Sequence, residues 1–122
     1  MHHRIGAHTT RDGLKLLTRE WQPDEPKAAL LVVHGISEHS GRYARVASEL
    51  TERGVAIHAY DHRGHGRSDG ERVFVKSFDE YVRDLDEIIS SVKAKTHELP
   101  FFLLGHSLGG LIVARYIVEH SP

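Results

Sequence analysis

Ser107 stands between Gly105 and Gly109 in the stretch GHSLG, directly after the apolar run FFLL and directly before GLIVARYIV. A serine hydroxyl is a poor nucleophile until an imidazole takes its proton and hydrogen-bond donors receive the charge that develops on the substrate. A tight strand-to-helix turn provides part of this. It lifts the hydroxyl clear of the sheet, strains its own backbone, and sets the first amides of the following helix beneath a forming oxyanion. Such a turn requires small residues two before and two after the serine, the places of Gly105 and Gly109. The five letters alone also describe a glycine-rich turn with a helix-capping serine; the strand before and the helix after select the nucleophile elbow, made of Gly105, His106 and Gly109 around Ser107. One oxyanion donor is expected from the backbone N–H of Leu108. The other is expected from the loop after the strand 28–33, where His34 and Gly35 make a sharp turn and the Ile36 amide follows. His106 is expected to point away from Ser107 and to pack or hydrogen-bond rather than act as the base.

The partners of the serine are harder to place. In the strand-turn-helix type of site the order along the chain is serine, acid, histidine, and after Ser107 the sequence holds only Glu119 and His120. A regular helix rising about 1.5 Å per residue puts His120 roughly 20 Å from the serine, whereas proton transfer works over about 3 Å. The acid and the general base are therefore expected on polypeptide outside residues 1–122. Eleven histidines invite a metal reading, but His58 lies within a strand, His62 and His65 lie in a glycine-rich loop, and no ligand spacing on one helix appears. No metal site is expected; Asp61, Arg63 and these histidines are expected to hydrogen-bond to hold their loop. Gly64, Gly66 and Gly70 do not open a helix at dinucleotide-binding spacing, so no phosphate or other cofactor site is expected either. Arg42 and Tyr43, beside the His34 loop, start the first helix or touch a polar substrate head, the structural role being the preferred one.

The elements that must position these residues follow from hydrophobic pattern. Residues 5–9 and 14–21 read as a hairpin with an Asp-Gly turn. Residues 28–33, 55–60 and 101–104 are apolar runs of the kind covered on both faces, as in a parallel sheet. Tyr43, Val46, Ala47 and Leu50 recur at helical spacing before Gly54. Phe78, Tyr81, Val82, Leu85, Ile88, Ile89 and Val92 draw a longer stripe, with Asp79, Glu80, Arg83, Asp84, Asp86 and Glu87 on the wet side. Residues 108–119 form a third helix, more apolar all round. The alternation predicts an α/β sheet with helices on both faces and right-handed crossovers, and the loops HGISEHSG, DHRGHGRSDG and GHSLG converge beyond the carboxyl ends of its strands. In such a sheet 101–104 belongs in the middle, so an apolar edge there predicts a second polypeptide or self-association along it.

Composition narrows the classes. Sixteen basic against seventeen acidic residues, a formal net charge of -1, give no global attraction to nucleic acid, and zero cysteines remove thiolate catalysis and cysteine-held zinc. No apolar run can span a bilayer and no signal-peptide core is present. A cytoplasmic location is expected, with any membrane contact peripheral.

Taken together, HGISEHSGRY at 34–43, AYDHRGHGRSDG at 59–70 and LLGHSLGG at 103–110 resemble the monoacylglycerol lipase and lysophospholipase branch of the α/β-hydrolase family. The resemblance covers nearly the whole chain, from the first hairpin to Glu119. It implies an α/β-hydrolase fold, of which residues 1–122 form the N-terminal portion of the core, and hydrolysis of monoacylglycerols, lysophospholipids or other carboxylic esters without metal or organic cofactor. By the resemblance Ser107 is the nucleophile, the amides of Ile36 and Leu108 form the oxyanion hole, and the segment 59–70 is a structural motif beside the site. The family carries glycine where this chain has Ser37, and a cap domain over the site that would lie beyond residue 122. The alternative is a catalytically incomplete fragment serving as an assembly or interaction module.

Overall fold

In the computed structural model residues 2–120 are described. They form β1 (His2–Thr9), β2 (Lys15–Gln22), β3 (Ala28–Val33), a short 3-10 turn (Ser40–Tyr43), α1 (Ala44–Glu52), β4 (Val55–Tyr60), α2 (Phe78–Thr96), β5 (Phe101–Gly105) and α3 (Leu108–His120). The five strands are ordered β1-β2-β4-β3-β5. β3, β4 and β5 run parallel, while β1 and β2 form an antiparallel hairpin that joins the sheet along β4. Gly13 has φ 91 in the hairpin turn, where the Thr10 and Leu14 backbones close on each other.

The unalternating runs of β3 and β4 are explained by cover on both faces. On one face Trp21, Val32, Ile57 and Ala59 pack against Ala47 of α1. On the other, Leu16, Leu31, Val33 and Tyr60 pack beneath Tyr81, Val82, Leu85, Ile88, Ile89 and Val92 of α2 and Ile112 of α3. α2 opens at Ser77, whose hydroxyl accepts from the Asp79 amide, and carries Asp79 and Glu80 in its first turn and Lys93 and Lys95 in its last, so cap and charge both favour this helix here.

The stripe of α2 contains one residue that pattern reading places wrongly. Asp84, expected on the wet side, is only 2% exposed. It is drawn inward by Arg63, whose Nε and Nη2 donate to Asp84 Oδ2 and Oδ1 at 2.7 and 2.8 Å. The same guanidinium donates to both carboxylate oxygens of Asp12 at 3.0 Å and to Glu80 Oε2 at 3.2 Å. Arg63 thus clamps the hairpin turn, the loop after β4 and α2 together. Its hydrogen bonds hold the Asp12 carboxyl down at about 2, from an ordinary 3.8.

β5 lies at the sheet edge. Phe101 and Leu103 reach the core under α2 and α3, but on the opposite face no described residue covers Phe102 and Leu104. Phe102 is 56% and Leu104 40% exposed, and α3 adds Leu111 at 65% and Val118 at 77%. An apolar surface therefore runs along this edge of the molecule.

Removing the Arg63 clamp should leave Asp84 buried and unpaired. Arg63→Met is expected to destabilise the fold by about 3–5 kcal/mol, read as a lower urea midpoint, with most of the loss recovered in Arg63→Met/Asp84→Leu. A loss below about 1 kcal/mol would mean the ion pair is not needed once formed. Because the Asp12 carboxyl is depressed, its share of the clamp is complete above pH 3.8 and disappears as pH falls through about 2. Asp12→Asn should accordingly lower stability at neutral pH and flatten the acid limb of the stability curve.

Candidate active site

The site is built where β3, β4 and β5 end together. The His106 N–H donates to the Val33 carbonyl at 3.1 Å, fastening the turn after β5 to the end of β3. Ser107 has φ 57, the left-handed conformation that a non-glycine residue adopts only when its surroundings enforce it, and its side chain is exposed. The glycines around it are fixed by contact. A Cβ on Gly105 would lie 2.6 Å from the Gly109 carbonyl oxygen, and a Cβ on Gly109 would lie 1.9 Å from the Val33 oxygen and 2.7 Å from that of His34. α3 therefore begins pressed against the end of β3, with Gly109 buried and Ser107 at the surface.

The loop after β3 meets this turn from the other side. Gly35 is buried beside His106: a Cβ there would meet His106 Nδ1 and the His106 carbonyl at 3.2 Å each. Ile36 follows with its side chain 56% exposed. Ser37 has φ 58, a conformation natural to glycine and strained for serine. Among the described residues no hydrogen bond engages the backbone N–H of Ile36 or of Leu108.

Glu38 joins the two pieces, a role that sequence reasoning overlooked. Its Oε2 accepts from the Gly35 N–H, from Tyr43 Oη–H at 2.9 Å and from His106 Nδ1–H at 3.1 Å, while Arg42 Nη1 lies 3.5 Å from its Oε1. Burial pushes the Glu38 carboxyl up, but the Gly35 amide, His106 and Tyr43 outweigh it and hold the carboxyl below its ordinary range. Burial and the same carboxylate push the Tyr43 phenol up to about 12. Tyr43, Arg42 and His106 thus all face Glu38. The clue in the sequence was a carboxylate three residues after Gly35, where a short loop can fold its side chain back onto the amide.

The loop after β4 supports the assembly from beneath. Asp61 is buried, accepting from the Ser40 N–H at 2.7 Å and the Ser40 hydroxyl on Oδ1, and from the Arg67 N–H at 3.0 Å on Oδ2. Burial raises its carboxyl, and these hydrogen bonds outweigh that and hold it low. His62 and His34 hydrogen-bond to each other. His58 is instead buried within β4, its Nδ1 3.7 Å from Glu20. Among the described residues no three His, Asp or Glu side chains converge to hold a metal. His120 is far along an unbroken α3, with Nδ1 bonded to the Tyr116 carbonyl at 2.9 Å and Nε2 3.7 Å from Asp86. The structure thus gathers Gly35, Glu38, His106 and the Ser107 turn, and leaves His58 and His120 apart from them.

A mixed sheet of this order, with a strained serine between β5 and α3, defines an α/β-hydrolase core. The comparison with known proteins agrees. Residues 24–122 match the family described as serine aminopeptidase, S33, and the chain belongs to that family. It is 46% identical over 102 residues to monoglyceride lipase of Rattus norvegicus, covering 83% of this chain and 34% of that protein. It is 40% identical over 114 residues to monoacylglycerol lipase of Mycolicibacterium smegmatis, covering 89% and 41%. The structure superposes on a thermostable carboxyl esterase from Bacillus coagulans in complex with glycerol with a TM-score of 0.88 at 27% identity, covering 98% of this chain and 41% of that one. The chain thus spans about a third to two-fifths of the length of these relatives.

Glu38→Gln removes the charge that faces Tyr43 while keeping the size of the side chain. Burial keeps part of the rise, but the Tyr43 phenol is expected to titrate below its present value of about 12, followed by the ring carbon resonances of Tyr43 through an alkaline titration. An unchanged titration would show that burial alone sets that value and that the Glu38 contact is not maintained in solution.

Proposed function

We propose that this chain is the N-terminal portion of a serine carboxylic ester hydrolase acting on monoacylglycerols or similar lipid esters. The observation that supports it best is Ser107, exposed and held at φ 57 between β5 and α3, in a chain 46% identical to a monoglyceride lipase. In this reading a base takes the proton from Ser107 Oγ, the oxygen attacks the ester carbonyl, and the Ile36 and Leu108 amides hold the resulting oxyanion. The alcohol leaves with the proton returned by the base. Water then repeats the steps on the acyl-serine and releases the acid.

The base is assigned to polypeptide outside these residues. His106 is turned to Glu38, His34 and His62 are engaged with each other, and His120 is bound on α3. A cap that selects acyl chain and alcohol is assigned to the same missing part. No described helix is long and apolar enough to cross a membrane; the reading places the protein in the cytoplasm, meeting lipid peripherally. No cofactor enters this chemistry.

The exposed apolar edge favours a second reading, in which the chain on its own serves as an assembly module, with β5 and α3 covered by another polypeptide or a second copy. Unpaired edge strands and exposed Phe102, Leu104, Leu111 and Val118 are surfaces that bind or aggregate.

The two readings separate experimentally. A fluorophosphonate probe should label Ser107 only when the complementing polypeptide is present, and Ser107→Ala should abolish p-nitrophenyl ester turnover with an unchanged circular dichroism spectrum. Saturable turnover persisting in Ser107→Ala would overturn the assignment of the nucleophile. For the edge, Phe102→Lys/Leu104→Lys should shift the chain from assemblies toward monomer in size-exclusion chromatography with light scattering. An assembly state indifferent to both changes would sink the second reading.

A further inference from the structure

His34 and His62 are 0% and 1% exposed, and their rings lie 4.0 Å apart between centroids at 50°. Their hydrogen bonds leave each ring only one tautomer. The His62 backbone N–H donates to His34 Nε2 at 3.0 Å, so Nε2 carries no proton and the His34 proton is on Nδ1. That Nδ1–H donates to the Gly35 carbonyl at 2.6 Å. His62 in turn donates from Nε2–H to the His34 carbonyl at 2.7 Å, leaving its own Nδ1 buried and without a hydrogen-bond partner among the described residues. The rings are therefore opposite tautomers, each bonded to the other residue's backbone or to the peptide just beyond it.

The consequence falls on the Ile36 amide. The Gly35 carbonyl and the Ile36 N–H belong to one peptide plane, and the described chain contains no cis peptide bond. In a trans peptide the two groups point in opposite directions. Binding the carbonyl to His34 Nδ1–H therefore aims the Ile36 N–H outward, away from the histidine pair. In the same way, the His34 carbonyl held by His62 and the Gly35 N–H held by Glu38 fix the preceding plane from both ends. Two successive peptide planes, leading into Ser37 at φ 58, are thus set by the side chains of His34 and Glu38 within the loop and of His62 from the loop after β4.

We propose that His62 is a positioning residue for the oxyanion loop, acting through a tautomer-locked pair with His34 to orient the Ile36 amide. This rests on the proposed role of that amide. A phenylalanine at either place would fill similar volume, yet at 62 it would leave the His34 carbonyl without its donor, and at 34 it would leave the His62 N–H without its acceptor. Burial, the largest influence on both rings, holds both imidazoles below the ordinary histidine range and so keeps the neutral tautomers intact. Hydrogen bonding to the backbone, and for His34 the nearby Asp61 and Glu38, act in the other direction without reversing it.

The test does not pass through Ser107. Long-range imidazole nitrogen–proton spectra of the 122-residue chain at neutral pH should show His34 protonated on Nδ1 and His62 on Nε2. The amide order parameter of Ile36 should be about 0.85 in the parent and in His62→Gln, which keeps a donor near Nε2, and below about 0.6 in His62→Leu, with the amides of Leu31, Val32 and Val33 unchanged. Two rings in the same tautomer, or an Ile36 amide equally rigid in His62→Leu, would overturn the proposal. Equal loss in the Gln and Leu variants would overturn it too, showing that His62 acts by packing. If His62→Leu does not fold, the tautomers of the parent decide. An ester hydrolase reading that fails leaves these outcomes standing, and a failed lock leaves ester hydrolysis by Ser107 untouched.

Discussion

The site depends on one close approach of backbone to backbone. The first turn of α3 presses on the end of β3 so tightly that Gly109 has no room for even one carbon, with the Val33 carbonyl 1.9 Å from where it would stand. Two parallel strands ending side by side bring the turn after β5 and the loop after β3 together, and the His106 to Val33 hydrogen bond fixes their heights. With α3 thus seated and Gly105 packed under Gly109 and Gly110, the serine between them is driven into a left-handed conformation and out to the surface. The strain at Ser107 is therefore balanced by the packing of its neighbours.

Around that contact the loops have almost no regular structure, and buried polar side chains take its place. Glu38 gathers the Gly35 amide, the Tyr43 hydroxyl and the His106 ring. Asp61 gathers the backbone of Ser40 and Arg67. Each carboxylate is costly to bury and each is satisfied by several donors, so both stay ionised. These are specific anchors: exchange one oxygen for a methyl group and a loop amide is left unpaired. Ser37, in the loop that Glu38 ties back onto Gly35, has the left-handed φ of 58 that serine's own preference does not favour.

Farther out, the molecule is unequal on its two sides. Beside β2 and α2, Arg63 ties three segments with bidentate bonds to Asp84 and Asp12, and the α2 stripe is fully used. Beside β5, apolar side chains that would suit a core face outward. The chain matches only about a third of a monoglyceride lipase's length, and the side that lacks cover is the one next to the serine.

Much of this could be read directly from residue order. The runs AALLVV and VAIHAY have no alternation because both faces of β3 and β4 are covered, and that demand is local to each strand. Gly105 and Gly109 announce the turn because only glycine tolerates such proximity, and the α2 stripe follows from helical period. What pattern could not reveal was which polar residues would turn inward. Asp84 reads as a wet-side residue until Arg63, twenty-one positions earlier, is brought against it. Glu38 reads as a loop residue, and His62 as one that holds its own loop, until β3, β4 and β5 end at one point and give each a backbone group of the loop after β3 to bind. Hydrophobic periodicity is set within a few neighbouring residues, so sequence determined the elements; the pairing of buried polar groups depends on distances across the sheet, and only the folded chain decides them.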